Sequence, residues 1–189
     1  MSGRPELVRR IQLEIERAGP MTFDRFMERA LYEPGLGYYA SLSNAETGGP
    51  GALADFQTSP QAHPAFGFCV ARYLRRVWDA LGQPRRFVIV EPGAGAGELA
   101  RQIRDGLAEE GASPRVEYHA VDARSGALGE GVLGEGAPRW WRSLDDLRQA
   151  GVRAHAVVSN EFFDALPVHR VVWLDGRLRE SYVDWGEWG

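Results

Sequence analysis

Leu7, Ile11 and Ile15 recur at every fourth position among polar residues, which predicts an amphipathic helix that Gly19-Pro20 ends. A second helix follows, with Thr22 as its N-cap and Phe23, Phe26, Met27, Ala30 and Leu31 as its apolar face, stopped by Glu33-Pro34-Gly35. From Gly35 to about Ser59 the periodicity is lost and glycine is frequent, so this stretch, most loop-like at residues 44–51, reads as a lid. Pro60 and Pro64 lead into a long helix over residues 65–81, with apolar positions Phe66, Val70, Tyr73, Leu74, Val77, Trp78 and Leu81 and stop signals at Gly82 and Pro84. Cys69 lies on that pattern and is expected to be a small buried hydrophobe.

Beyond residue 84 the pattern changes to strands. Phe87-Val88-Ile89-Val90 suits a parallel strand covered on both faces, and Leu99, Ile103 and Leu107 place a stripe on the helix after it. Val116-Glu117-Tyr118-His119-Ala120-Val121-Asp122 alternates toward a second strand. Residues 126–136 carry no periodic pattern. Residues 138–141 read as a short edge strand, 144–147 as a helical turn and 154–160 as another buried strand. Residues 168–174 and 178–183 form a predicted hairpin across Asp175-Gly176. Strands alternating with helices indicate an α/β chain with a doubly wound parallel sheet behind an N-terminal helical cap. The expected division is a cap and lid over residues 1–84 and a sheet domain over residues 85–189.

Composition narrows the function classes. With 189 residues, 44% hydrophobic and 11% aromatic, the chain can bury a core and is not disordered. The basic residues are all arginine, and the formal charge of -4 argues against a nucleic-acid partner, which calls for a basic face. One cysteine permits no internal disulfide and no cysteine metal cluster, which favours a cytoplasmic setting. His63, His119, His155 and His169 include no pair at helical spacing, so no metal site is assigned. No apolar run approaches the roughly 20 residues of a membrane span, so no membrane partner is expected. Glu6, Glu14 and Glu16 among the N-terminal arginines differ from an acidic-poor transit peptide, so mitochondrial targeting is not supported.

The chemistry is expected at strand ends, where open α/β sheets bind ligands. Glu91-Pro92-Gly93-Ala94-Gly95-Ala96-Gly97-Glu98 joins the first buried strand to its helix. A dinucleotide fingerprint needs Gly-x-Gly-x-x-Gly, and its third glycine would fall at Glu98. Carboxylates at Glu91 and Glu98 disfavour a pyrophosphate and with it a nicotinamide-dependent oxidoreductase. S-adenosylmethionine, which is cationic and lacks phosphate, suits the loop better. Asp122, about 29 residues beyond Gly93, can accept from ribose hydroxyls. After the later strand, Glu161 and Asp164 are three apart and face one space if the chain turns helically, where paired carboxylates could grip a guanidinium. The competing reading makes Asp164 a helix cap and Glu161 a structural ion pair. Phe162 and Phe163 are expected in the core or pocket wall.

Asp55-Phe56-Gln57-Thr58-Ser59-Pro60, the glycine loop and Asn160-Glu161-Phe162-Phe163-Asp164-Ala165-Leu166-Pro167-Val168-His169, behind Phe26-Met27 and Gly37-Tyr38-Tyr39, resemble the MidA-type family of S-adenosylmethionine-dependent methyltransferases across essentially the whole chain. The resemblance implies a Rossmann-like class I methyltransferase sheet. It implies that Gly93, Gly95 and Gly97 hold the methionine part of S-adenosylmethionine, and that Asp122 holds the ribose. The loop carrying Asp55, Phe56 and Thr58 would close over the site, and Asn160-Glu161 would begin the substrate pocket. The mitochondrial member of the family is a complex I assembly factor that dimethylates a protein arginine symmetrically, so the implied partner is a protein presenting an arginine.

This chain departs from the family pattern at Ala54, where the family has glycine, and at Gln61-Ala62-His63, where it has a Glu-Ile-Ser-like run. Family chains are also about twice as long, so the later strands of the sheet are expected to be missing and the chain to be a fragment. An incomplete sheet would leave an open edge and an uncovered apolar face, including Trp173, Trp185 and Trp188, able to self-associate or bind a partner. The alternatives to arginine methylation are a non-catalytic assembly scaffold and a small-molecule methyltransferase.

Overall fold

The computed structural model describes residues 4–40, 58–109, 115–123 and 137–186. The expected lid core at 41–57, with Asp55 and Phe56, lies outside the described residues, as do the segment 124–136 and Trp188. The chain forms two compact units, one of Met1–Phe56 with Phe163–Gly189 and the other of Gln57–Phe162. The helices at Ser59–Ala62 and Ala65–Ala80 thus fall in the same unit as the sheet, apart from those of Met1–Phe56.

In the Gln57–Phe162 unit, α3 (Ser59–Ala62), α4 (Ala65–Ala80), α5 (Glu98–Glu109) and α6 (Leu144–Gln149) accompany four strands. These are β2 (Arg86–Pro92), β3 (Arg115–Val121), β4 (Arg139–Trp141) and β5 (Ala156–Val157), ordered β4-β3-β2-β5 and parallel throughout. β2 and β3 pair over their full length, with Ile89 opposite Tyr118 and Glu91 opposite Ala120. Alternation sends Phe87, Ile89 and Tyr118 into a core with Ala71 and Leu74 of α4 and Leu99, Ala100, Ile103 and Leu107 of α5. Val90 and Val121 turn to the other face, against Leu147 of α6 and Trp141. Both faces of the sheet are thus covered, as the apolar run of β2 requires.

The contact between α4 and α5 depends on two glycines. A Cβ at Gly106 would stand 2.7 Å from the Ala71 methyl, and one at Gly67 would stand 2.2 Å from the Gln102 Cβ. Gly67, Ala71 and Leu74 are consequently the buried stripe of α4. Cys69 lies off that stripe and is exposed, contrary to expectation, as are Tyr73 and Leu81. The strand expected at 154–160 shortens to β5, and Val157 is 65% exposed. β5 pairs with β2 alone and has no neighbour on its other side among the described residues. A groove of about 530 Å3 runs between α4 and this flank, lined by Val70, Tyr73, Leu74, Val77 and residues 155–159.

The other unit begins with α1 (Pro5–Ala18), whose Leu7, Ile11 and Ile15 are buried with Met21. Gly19 ends the helix at φ 85°, its N–H returning to the Ile15 carbonyl at 2.8 Å. β1 (Met21–Thr22) leads into α2 (Phe23–Tyr32). Thr22 holds the extended N-cap position but makes no side-chain cap bond. Glu14 accepts from Arg25 and Arg29, and Glu33 from Arg10 and Arg29, which ties the two helices by ion pairs. A 3-10 turn over Phe163–Ala165 precedes β6 (Val171–Leu174) and β7 (Arg177–Glu180), joined across Asp175 and Gly176, both at positive φ as a type I′ turn requires. The expected second strand of the hairpin breaks at Ser181, because Tyr182–Val183, here β8, pairs antiparallel with β1. Trp173 is 72% exposed on the hairpin, and Phe163, expected in the core or a wall, is likewise exposed.

Candidate active site

The loop after β2 is pinned to the tip of β3. Gly93 and Ala94 donate their backbone N–H groups to the Val121 carbonyl at 2.8 and 3.2 Å, and the Gly95 N–H donates to Asp122 Oδ2 at 2.9 Å. Asp122 is anchored from the far side, since its own N–H donates to the Trp141 carbonyl at 3.0 Å. Gly93, Gly95 and Gly97 take φ of 73°, 58° and 83°, where a side chain is strained. Two aromatic rings back this turn. A Cβ at Gly93 would stand 2.7 Å from Phe162, and one at Gly97 3.1 Å from Trp140. Phe162 therefore lines the loop, within the range expected for it.

Register places Glu91, Tyr118 and Asp122 on one side of the sheet, at the carboxyl ends of β2 and β3. Glu91 is 3% exposed and accepts a hydrogen bond from the Tyr118 hydroxyl at 2.8 Å. Burial pushes its carboxyl up to about 7, against the Tyr118 bond that favours the anion, and the Asp122 charge adds to the rise. Burial also holds the Tyr118 phenol protonated. Glu98, at the first position of α5, is ion-paired with Arg101 and accepts from Gln102, which keeps its carboxyl below the usual range.

With the Gly97 N–H donating to the Ala94 carbonyl at 2.8 Å, four loop N–H groups are spent on protein acceptors, so the turn does not offer the row of free donors that cradles a phosphate. Two carboxyl groups stand at its rim instead. This donor set fits a cationic ligand with hydroxyl groups to be accepted, which S-adenosylmethionine is, and it does not fit a pyrophosphate.

The other expected site residues are less concentrated. Thr58 caps α3 through a box in which its N–H donates to Gln61 Oε1 at 3.1 Å. α3 is held to α5 by Gln102, whose Nε2 donates to the Pro60 carbonyl at 2.7 Å while its Oε1 accepts from the Gly67 N–H. Asn160 Nδ2 donates to Glu161 Oε1 at 3.3 Å. Glu161 is exposed at φ 51°, so the backbone is not helical there and the helical turn expected to unite it with Asp164 does not start at Glu161. Asp164 lies in the 3-10 turn and is exposed.

Sequence reasoning missed Tyr118 and Gln102. Tyr118 had a readable signal, being four residues before Asp122 on an alternating strand. Gln102 had none, because its partners are 35 and 42 residues away. The structure also gathers Asp24, His169 and Glu180, whose ligand atoms lie within 4.8 Å of one another among the described residues, although no metal group was assigned. His169 Nδ1 is 2.6 Å from Glu180 and 3.5 Å from Asp24, and the Glu180 bond raises the imidazole above its ordinary range. His169 and Glu180 are hydrogen-bonded, whereas the buried Asp24 Oδ1 makes no hydrogen bond among the described residues.

Residues 69–187 match a family model described as "Putative S-adenosyl-L-methionine-dependent methyltransferase". The protein arginine methyltransferase NDUFAF7 homolog of Drosophila melanogaster is 30% identical over 97% of this chain and 46% of its own length. The human protein arginine methyltransferase NDUFAF7 is 27% identical over 94% and 45%. A Burkholderia thailandensis protein solved with S-adenosyl-homocysteine bound aligns at a TM-score of 0.63 and 26% identity, over 99% of this chain and 54% of that one. The chain thus spans about half the length of these relatives. No helix among the described residues is long and apolar enough to cross a membrane.

Proposed function

This chain belongs to the S-adenosyl-L-methionine-dependent methyltransferase family whose model it matches, and we propose that it supplies the cofactor site of an enzyme that methylates arginine on a protein. The hydrogen bond from Gly95 to Asp122 carries the proposal, because it joins the glycine turn to a ribose-accepting carboxylate at the tips of adjacent strands. In this reading Gly93, Gly95 and Gly97 let the backbone approach the methionine part, Asp122 accepts from the ribose, and Glu91 faces the positive charge. Thr58 belongs to the segment that the family resemblance assigns to covering the site. Asn160 and Glu161 orient the acceptor, with Glu161 the carboxyl offered to a guanidinium.

S-adenosylmethionine supplies an electrophilic methyl group on a sulfonium, so the protein's task is alignment of the acceptor nitrogen and exclusion of water. A guanidinium is a poor nucleophile with a pKa above about 12, and a carboxylate beside it stabilises its charge and takes the proton lost in the transfer. The names of the relatives support arginine as the acceptor, and the family resemblance supports symmetric dimethylation in respiratory complex I assembly.

Calorimetric titration with S-adenosylhomocysteine tests the cofactor half of the proposal. Saturable heat is expected, and its absence from a folded sample overturns the reading. Incubation with methyl-labelled S-adenosylmethionine and a cell lysate, followed by mass spectrometry, tests the acceptor. Label on protein arginine is expected, whereas label confined to small molecules moves the assignment to a metabolite methyltransferase.

A further inference from the structure

Asp24, His169 and Glu180 lie far apart along the chain, and antiparallel pairing draws them together. β1 pairs with β8 so that Met21 faces Val183 and Thr22 faces Tyr182. Carried two residues further, this register sets Asp24, in the first turn of α2, level with Glu180 at the end of β7. The Ser181 N–H donates to the Arg170 carbonyl at 2.7 Å, which brings the segment carrying His169 alongside. Two carboxylates held at one point repel each other unless a cation lies between them. His169 supplies that charge in part, its Nδ1 being 2.6 Å from Glu180 Oε1 and 3.5 Å from Asp24 Oδ1. One ring nitrogen carries one proton, and the bond to Glu180 uses it. Asp24 Oδ1 is left buried and without a hydrogen bond among the described residues. The nearby arginines are engaged elsewhere: Arg25 pairs with Glu14 and Glu28, and the Arg170 guanidinium stands 5.8 Å from the Phe23 ring. A buried carboxylate oxygen with no donor is costly, so this cluster lacks a partner of positive charge.

We propose that Asp24, His169 and Glu180 bind one divalent metal ion of the zinc class through Asp24 Oδ1, His169 Nδ1 and a Glu180 carboxylate oxygen. The three ligand atoms lie within 4.8 Å of one another. Donor atoms around a tetrahedral zinc stand about 3.3 Å apart, a value that the observed separations straddle, so small side-chain rotations close the set. Three protein ligands leave the remaining position to water. An imidazole among the ligands favours zinc over magnesium and calcium, which take oxygen donors. Binding releases the Nδ1 proton to the buffer and turns the Nδ1 lone pair to the metal, while the ring keeps its proton on Nε2. The ion braces the start of α2 against the hairpin. The inference is independent of the cofactor reading, because these residues belong to the unit of Met1–Phe56 with Phe163–Gly189, and the glycine loop and Asp122 belong to the other.

Calorimetric titration of the chelator-treated whole chain with zinc chloride near neutral pH tests this, in a Cys69→Ser background that removes the exposed thiol as a competing ligand. One equivalent of zinc should bind, and magnesium chloride should give no saturable heat. Asp24→Asn and Glu180→Gln should each weaken zinc binding at least about tenfold, the lower end of what loss of a supporting partner costs a metal site. Nitrogen NMR of histidine-labelled protein reads the site with all three ligands intact, so the test holds if those variants do not fold. The His169 Nδ1 resonance should move to that of a metal-bound nitrogen, while His63 and His155 keep their shifts. Absence of stoichiometric zinc binding, undiminished affinity in both carboxylate variants, or magnesium binding as tight as zinc overturns the inference. A zinc response confined to His63 or His155 overturns it equally, and each of these results leaves the cofactor reading standing.

Discussion

The backbone N–H of Gly95 lies 2.9 Å from Asp122 Oδ2, so the turn after one strand and the carboxylate at the tip of the next are locked together by the protein alone. The bond places a carboxylate beside the left-handed turn, where the proposed function has it accept from sugar hydroxyls.

Asp122→Ala removes both functions. A hydrogen bond to a charged group contributes about 1.5–3 kcal/mol, so affinity for S-adenosylhomocysteine should fall about 10- to 100-fold. Asp122→Asn keeps an acceptor for the Gly95 N–H and should lose less. Calorimetry on samples with native circular dichroism checks the order, and equal affinity in all three proteins would remove Asp122 from the site.

Gly93→Ala sets a methyl group against the Phe162 ring at a left-handed φ, with an expected cost of about 1–3 kcal/mol. Part of that cost is steric. Phe162→Ala should therefore destabilise the Gly93→Ala background less than the unaltered protein, a coupling that urea unfolding of the four proteins would measure.

His119 is fully buried on β3 and its Nδ1 accepts from the Trp141 indole N–H at 2.9 Å, which assigns the neutral ring. Burial, with Arg139 adding, holds its pKa below the ordinary value. The unfolded chain takes up a proton near 6.5 while the folded chain resists it, so stability should fall as pH drops below about 6.5. Thermal unfolding from pH 5 to pH 7 should show this slope, and His119→Asn should reduce it.

His169 titrates in the opposite sense. Its imidazolium is favoured by Glu180 and Asp24, so its contribution is fully present below about pH 6.5 and is lost as pH rises through the raised folded value. A proton-detected NMR titration should place the His169 midpoint above 6.5, the model-peptide value, and Glu180→Gln should bring it back down.

The parts of this fold that can be read along the chain are those whose cause is local. Leu7, Ile11 and Ile15 face one side of a helix because of its pitch, and Asp175-Gly176 turns a hairpin because both positions tolerate positive φ. The loop 93–97 is legible for the same reason, and Asp122 through its distance from that loop and its place at a strand end. What failed depended on remote partners. Cys69 fits an apolar helical pattern, yet Gly67 and Gly106 select which face of α4 meets α5, and Cys69 is not on it. Ala156 and Val157 belong to an apolar run, yet among the described residues their strand pairs along one side only and Val157 is exposed.

Residue order alone determined the periodic elements, the glycine turn and the acids at its ends, since pitch, pleat and left-handed φ act over a few residues. Tertiary structure decided which acid is buried, which carboxylate meets Gly95 and which histidine is neutral. Desolvation and hydrogen bonding depend on neighbours that strand register and helix packing bring from tens of residues away.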